Sequence, residues 1–236
     1  MLPREEILRY KKHIMLPEIG MDGQKKIRNA RVLVVGSGGL GSPVLSYLTG
    51  AGVGTIGIID FDRVETDNLH RQILFTESDL KKDKVSTAIS KLQQHNSGIE
   101  FIAHTLKLDP SNATEIFDTY DLIIDGSDNF ATRYLSNDTC VSLGKPLVFG
   151  SVLNFQGQLA VFNHKGSKNL RDLFPLPPPS EDVPNCDENG VIGTLPGIIG
   201  CMMAQEALKL ITGLPTLHNE FVLFDTLHLQ MRKLHF

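Results

Sequence analysis

Cysteine is scarce and irregularly placed in this sequence. The three present, Cys140, Cys186 and Cys201, cannot all pair and show no CxxC spacing, which excludes a disulfide framework and a four-cysteine zinc site. Long apolar runs are missing as well. Stretches such as Val32–Val35 and Leu122–Ile124 are too short to cross a bilayer, and the polar opening MLPREEILRYKK has no signal-peptide core, so a cytoplasmic protein away from membranes is expected. Excess positive charge is absent too: a formal net charge of -4 removes bulk attraction to nucleic acid or anionic membranes and favours a small-molecule or protein partner. What is present is 41% hydrophobic content over 236 residues, enough to bury one large α/β core. Neither repeats nor a second domain are visible, so residues 1–236 read as a single domain.

The apolar spacing sets the order of elements. Ile7, Leu8, Tyr10 and Ile14 suit an amphipathic helix over Arg4–Leu16, within a helical arm of residues 1–29. Arg31–Val35 reads as a buried strand, Ser42–Ala51 as a helix and Thr55–Ile59 as a second strand, which together make a β-α-β unit. Helical spacing returns over Lys81–His95, followed by a strand over Glu100–Leu108, a short helix over Ala113–Phe117 and a buried strand over Asp121–Asp125. This alternation predicts a doubly wound, mostly parallel sheet. After a helix over Asn129–Leu143, strands Pro146–Val152 and Gln158–Phe162 flank a turn at Asn154–Gly157, so that end of the sheet is expected to be mixed. Prolines and charges over 163–190 predict a long, flexible, exposed crossover loop. A helix over Pro196–Thr212 and a C-terminal hairpin, Phe221–Phe224 with Leu227–Leu234, complete the chain. On the later helix the stripe Ile198, Met202, Ala204, Leu208, Ile211 suits a core or a subunit interface; Cys140 and Cys201 fall on apolar helical faces and are expected to be buried, His95 and His104 on the surface.

Gly36, Gly38 and Gly41 form G-x-G-x-x-G between a predicted strand and a predicted helix. Missing side chains there let backbone amides approach a phosphate at a positive helix N-terminus. Asp60 closes the next strand, where a carboxylate can accept from ribose hydroxyls. These features alone suit an NAD-dependent oxidoreductase as readily as an ATP enzyme. Further residues break the tie: Asp62, Asn68, Arg71, Gln72, Lys84, Asp128 and Asn129 follow strands whose carboxyl ends face one crevice in a parallel sheet. Arg71 and Lys84 can neutralise phosphate oxygens as pyrophosphate departs, and Asp128 offers hard oxygen ligation to magnesium. Taken singly each has a duller explanation: Arg71 as a surface ion pair, Lys84 as an exposed helix residue, Asp128 as a helix N-cap.

The strings GSGGLGS, AGVGTIGIIDFD, DNLHRQILF, DGSDNFATR and NCDENGVIGTLPGIIG, in this order, resemble the ThiF/MoeB/HesA family of ubiquitin-activating-enzyme-like adenylyltransferases, over nearly the whole chain. The resemblance implies a Rossmann-like α/β domain, usually a homodimer. It places Gly39 and Gly41 against the phosphates, Asp60 at the ribose, Asn68 and Arg71 at the phosphates, Lys84 at the triphosphate and Asp128 at magnesium. The implied reaction is ATP-dependent adenylation of the C-terminal glycine of a ThiS- or MoaD-type ubiquitin-like sulfur carrier, for thiamine or molybdopterin biosynthesis, with a sulfurtransferase as a further partner. A tRNA-modifying member of the same superfamily is the neighbouring alternative, disfavoured by the acidic balance.

Three features depart from the family pattern. Many members carry two CxxC pairs that bind structural zinc; Asn169–Phe174 occupies the first place without cysteines, no second pair precedes Phe236, and no zinc is expected. Lys12 stands where relatives present an arginine to the partner subunit's ATP; a lysine supplies charge but no bidentate fork. Cys186 stands where ThiF-like members have a cysteine used in sulfur handling, which makes it a candidate nucleophile beside Asp187 and Glu188.

Overall fold

A computed structural model describes residues 2–178 and 190–236. Eight strands form one sheet in the order β3-β2-β1-β4-β5-β6-β7-β8: β1 (Arg31–Val35), β2 (Thr55–Ile59), β3 (Glu100–His104), β4 (Leu122–Asp125), β5 (Leu147–Leu153), β6 (Gln156–Phe162), β7 (Glu220–Asp225) and β8 (Gln230–His235). The first five are parallel and the last three antiparallel. Chain order reverses between β1 and β4, and the crevice of a doubly wound sheet opens at such a point.

The β1 segment RVLVV shows why the centre is parallel. Its β-branched residues suit a pleated surface and have no polar side to present to water. Val32 and Val34 pack on one face, Leu33 and Val35 on the other, all at or near zero exposure. On the first face lie α3 (Gly20–Asn29), α4 (Gly41–Ala51), α5 (Lys84–His95) and α9 (Thr194–Thr212); on the second lie α6 (Ala113–Asp118), α7 (Phe130–Leu143) and α8 (Leu170–Leu173). Caps set the boundaries: Asp83 accepts from Ser86 N–H to start α5 and Asn129 from Thr132 N–H to start α7, while left-handed Gly52 and Gly144 end α4 and α7. Among the described residues no helix is long and apolar enough to cross a membrane.

Several boundaries and environments differ from the sequence expectations. The opening helix is two short pieces, α1 (Arg4–Arg9) and α2 (Lys11–Ile14), broken at buried Tyr10, whose hydroxyl accepts a hydrogen bond from Asn96 Nδ2 at 2.8 Å. The α3 helix falls inside the expected helical arm, and at its Gly23 a side chain would collide with Ile19. Residues 163–173, expected as part of a flexible loop, are tied to the fold: α8 buries Leu170, and Asn163 Nδ2 donates to the carbonyls of Cys140 and Lys145. Cys140 is buried as expected, but Cys201 is partly exposed. His104 is half-buried, bonded to the Tyr120 hydroxyl at 2.8 Å, and burial holds its imidazole below the usual histidine range.

Candidate active site

A cavity of about 990 Å³ opens at the carboxyl ends of the parallel strands. Its polar end is built on the β1–α4 turn. Gly36 adopts φ +85°, open to glycine at little cost, and a Cβ there would meet the Gly126 carbonyl at 3.1 Å. Gly38, Gly39 and Leu40, which lead into α4, line the cavity, so the positive end of the helix dipole lies toward it. Buried Asp60 holds the loop in shape. Its Oδ2 accepts from the Ser37 amide at 2.9 Å and the Ser37 hydroxyl at 2.8 Å, and its Oδ1 from the Asp62 amide at 3.0 Å. A carboxylate has about four acceptor positions, so one remains for a ligand hydroxyl. Ser37 escaped the sequence reading because nothing marks a loop serine as a partner of the next strand's acid.

Two cations serve this end. Lys84 opens α5 with its side chain only 5% exposed, and its ammonium lies 3.0 Å from Asp62 Oδ2. The duller reading of Lys84 as a surface residue therefore fails. Arg71 follows the 3₁₀ turn Thr66–Asn68 and donates to the Asp67 carbonyl at 2.7 Å; among the described residues no carboxylate lies within ion-pair distance of it, so the surface ion-pair reading gains no support. Gln72 is buried beside Gly38 and its Oε1 has no hydrogen-bond partner, an orphaned acceptor of the kind a ligand completes.

Across the crevice β4 ends in Asp125, fully buried, whose Oδ1 accepts from the Ser127 amide at 2.9 Å and fixes the 126–129 turn. Burial pushes the Asp125 carboxyl above the usual range. This turn presents exposed Asp128 and Asn129 to the cavity, and the helix cap is Asn129 rather than Asp128. Buried Arg133, missed in the sequence, donates to the Ser127 carbonyl at 3.2 Å and lies over Phe130 and Phe149, 5.3 and 5.7 Å from their ring centroids. Beyond it the lining turns apolar, with Phe149, Val152, Leu153, Leu170, Phe174 and Leu176.

Gly36, Gly38, Gly39, Asp60, Asp62, Arg71, Gln72, Lys84, Asp128 and Asn129 thus share one cavity. Two expected phosphate contacts do not line it. Gly41 lies beneath the loop, where a Cβ would come within 2.0 Å of the Gly36 carbonyl oxygen, so its missing side chain serves packing. Asn68 is committed to its own turn, accepting from the Glu65 amide at 3.3 Å and donating to Asp67 Oδ1 at 3.2 Å. Lys12 is exposed on α2 and lines no part of its own chain's cavity; Cys186 lies outside the described residues. Among the described residues no group of three or more His, Cys, Asp or Glu is placed to hold a metal ion.

The chain is 48% identical to the "Probable adenylyltransferase/sulfurtransferase MoeZ" of Mycobacterium tuberculosis, covering 98% of itself and 60% of that protein. It is 47% identical to the "Sulfur carrier protein adenylyltransferase" of Thermus thermophilus, covering 98% of itself and 88% of the relative. Its fold is that of E. coli MccB in its complex with MccA-N7isoASN, with a TM-score of 0.83 at 21% identity over 98% of this chain and 70% of MccB. PaaA shares the fold at the same TM-score with 19% identity, over 100% of this chain and 84% of PaaA. The sequence matches the ThiF family over residues 10–236, and the chain belongs to that family.

Proposed function

We propose that this chain is an ATP-dependent adenylyltransferase that activates the C-terminal carboxylate of a ubiquitin-like sulfur-carrier protein. The observation that carries the reading is that Arg71 and Lys84 line one cavity with the glycine loop that leads into α4, a cavity whose far end is apolar. The names of the Thermus and Mycobacterium relatives support it.

In this reading the triphosphate lies on the glycine loop, and Asp60 offers its remaining acceptor position to the ribose. A carrier carboxylate oxygen attacks the α-phosphorus; the bond from that phosphorus to the bridging oxygen breaks and pyrophosphate leaves with the electron pair. No general base is required, because a carboxylate is already ionised near neutral pH. The catalytic work is positioning and charge stabilisation, with Arg71 and Lys84 neutralising charge on the departing pyrophosphate. Asp128 fits a magnesium ion, which takes one or two carboxylates and completes its shell with water and phosphate oxygens. Such an ion would add positive charge at the phosphates.

A homodimer, with Lys12 reaching the partner's nucleotide, belongs to the same proposal. It is supported by a shallow apolar groove that includes exposed Ile73 and Ile198. Cys186 as an acceptor of sulfur, a sulfurtransferase partner, thiamine or molybdopterin as the pathway served, and a cytoplasmic location complete it.

The test is carrier-dependent ATP–pyrophosphate exchange. Arg71→Ala and Lys84→Ala are each expected to lose about 10²-fold or more, the usual cost of removing a transition-state donor. Unchanged exchange in both variants would reject the assignment.

A further inference from the structure

The far wall of the cavity is a short strap, residues 170–178, and it is held in an unusual way. Phe174 to Pro178 belong to no helix or strand; Phe174 meets the buried Phe221 ring edge-on at 5.7 Å, and Pro175 to Pro178 are exposed. Phe174 and Leu176 nevertheless line the cavity. Leu170, Leu173 and Phe174 anchor the base of the strap in the core, and the position of its outer part, Pro175 to Pro178, depends on polar contacts to Arg171 and α7.

Those contacts meet at two stacked side chains, Arg171 and Tyr134. Arg171 Nε and Nη2 each donate to Asp138 at 2.7 Å, a bidentate fork, while Nη1 donates to the Pro175 carbonyl at 2.9 Å. The guanidinium lies over Tyr134, 4.9 Å from the ring centroid. The Tyr134 hydroxyl reaches the carbonyls of Phe174 at 2.9 Å and Leu176 at 2.8 Å, one proton shared between two acceptors. Tyr134 and Asp138 are four residues apart and so share one face of α7. The same helix begins beside Asp128 and Asn129, which makes it a common post for both ends of the cavity. Arg171 itself does not line the cavity.

We propose that Arg171 is a positioning residue for the acyl substrate: clasped to Asp138 and laid on Tyr134, it fixes the strap as the wall against which the carboxyl-terminal segment of the carrier lies. Nucleotide binding, supported by the glycine loop and Asp60, is independent of this clasp. The exposed Phe174 and Leu176 side chains fit an apolar or glycine-rich peptide tail better than a second charged ligand. This assignment rests on the adenylation reading.

The experiment is ATP–pyrophosphate exchange with a purified ubiquitin-like carrier ending in Gly-Gly, titrated separately against carrier and ATP, for wild type, Arg171→Ala, Arg171→Lys and Asp138→Ala. Arg171→Ala and Asp138→Ala are expected to raise the KM for carrier about tenfold, the scale of a small misplacement of a binding wall. The Kd of a non-hydrolysable ATP analogue should stay within about twofold, because its contacts lie on other elements. Arg171→Lys should fall between wild type and alanine, since it keeps the charge and loses the fork. Folded variants with an unchanged carrier KM, or with ATP affinity weakened to the same degree, overturn the proposal. If wild-type protein supports no exchange at all, the adenylation reading fails instead. The wall assignment is then decided by hydrogen–deuterium exchange: faster exchange of the Leu170–Leu176 amides in Arg171→Ala, with residues 36–41 unchanged, upholds it, and no change there overturns it.

Discussion

The two ends of the cavity are held by different physics. At the glycine loop the supports are buried and come from several strands: Asp60 of the β2 edge clasps Ser37 of the β1 turn, and Gly36 and Gly126 touch backbone to backbone. At the strap the clasp joins two helices through half-exposed side chains, Arg171 of α8 and Asp138 of α7 showing 41% and 45% side-chain exposure. The first arrangement ties the site to the fold. The second leaves it adjustable, which suits a surface that must accept and release a protein tail.

That contrast is breakable by mutation, and the largest effect is expected at the loop. Gly41→Ala places a Cβ against the Gly36 carbonyl, between backbone segments that cannot turn aside, and should cost about 3 kcal/mol, the upper part of the overpacking range. In a chain of this size that is roughly 6–12 °C of melting temperature, measurable by calorimetry. Arg171→Ala, which breaks an exposed clasp, should shift melting by no more than about 2–4 °C, in keeping with a pair worth about 1 kcal/mol. Equal shifts for the two variants would erase the comparison.

Asp60→Ala comes next. It strips the acceptor from the Ser37 amide and hydroxyl and from the Asp62 amide, leaving buried donors unpaired at about 1–3 kcal/mol. Nucleotide affinity should fall with stability, as titration with a fluorescent ATP analogue will report. A variant that lost stability yet bound nucleotide normally would separate the loop's structural role from its binding role.

A smaller effect is expected with pH. The hydrogen bond from Arg171, reinforced by its charge, holds the Asp138 carboxyl below the usual carboxylate range. A lowered folded-state pKa means the ionised clasp stabilises the protein above the unfolded value, about 3.9, and loses that contribution as pH falls through the folded value. The melting-temperature difference between wild type and Asp138→Asn should therefore be constant from neutral pH down to about 5 and close below about 4. A gap that widened in acid would contradict the ion pair. Smallest of all, native Cys140 should resist alkylation, because burial and the neighbouring Asp125 push its thiol up. Peptide mapping should find Cys201, in its groove, labelled before Cys140.

The polar end was legible in the sequence for the reason that makes it rigid. Strand and helix periodicity around Gly36–Gly41 and the acid closing β2 are local signals, and a parallel sheet brings strand ends together. Local pattern does not tell a residue that meets a ligand from one that shapes the turn beside it: the phosphate roles of Gly41 and Asn68 rest on the family resemblance, while their contacts here shape the loop and the turn. The strap was illegible on different grounds. Arg171 and Asp138 are 33 residues apart, and prolines with scattered charges look the same whether or not a clasp orders them.

The central claim is that one cavity joins a nucleotide end to a carrier end. Intact-mass spectrometry of a Gly-Gly carrier incubated with the protein, ATP and magnesium tests it most directly. The account predicts a carrier gaining one adenylyl group, lost on Lys84→Ala and restored in Arg171→Ala by raising carrier concentration. Unmodified carrier at every concentration, with ATP intact, would contradict it.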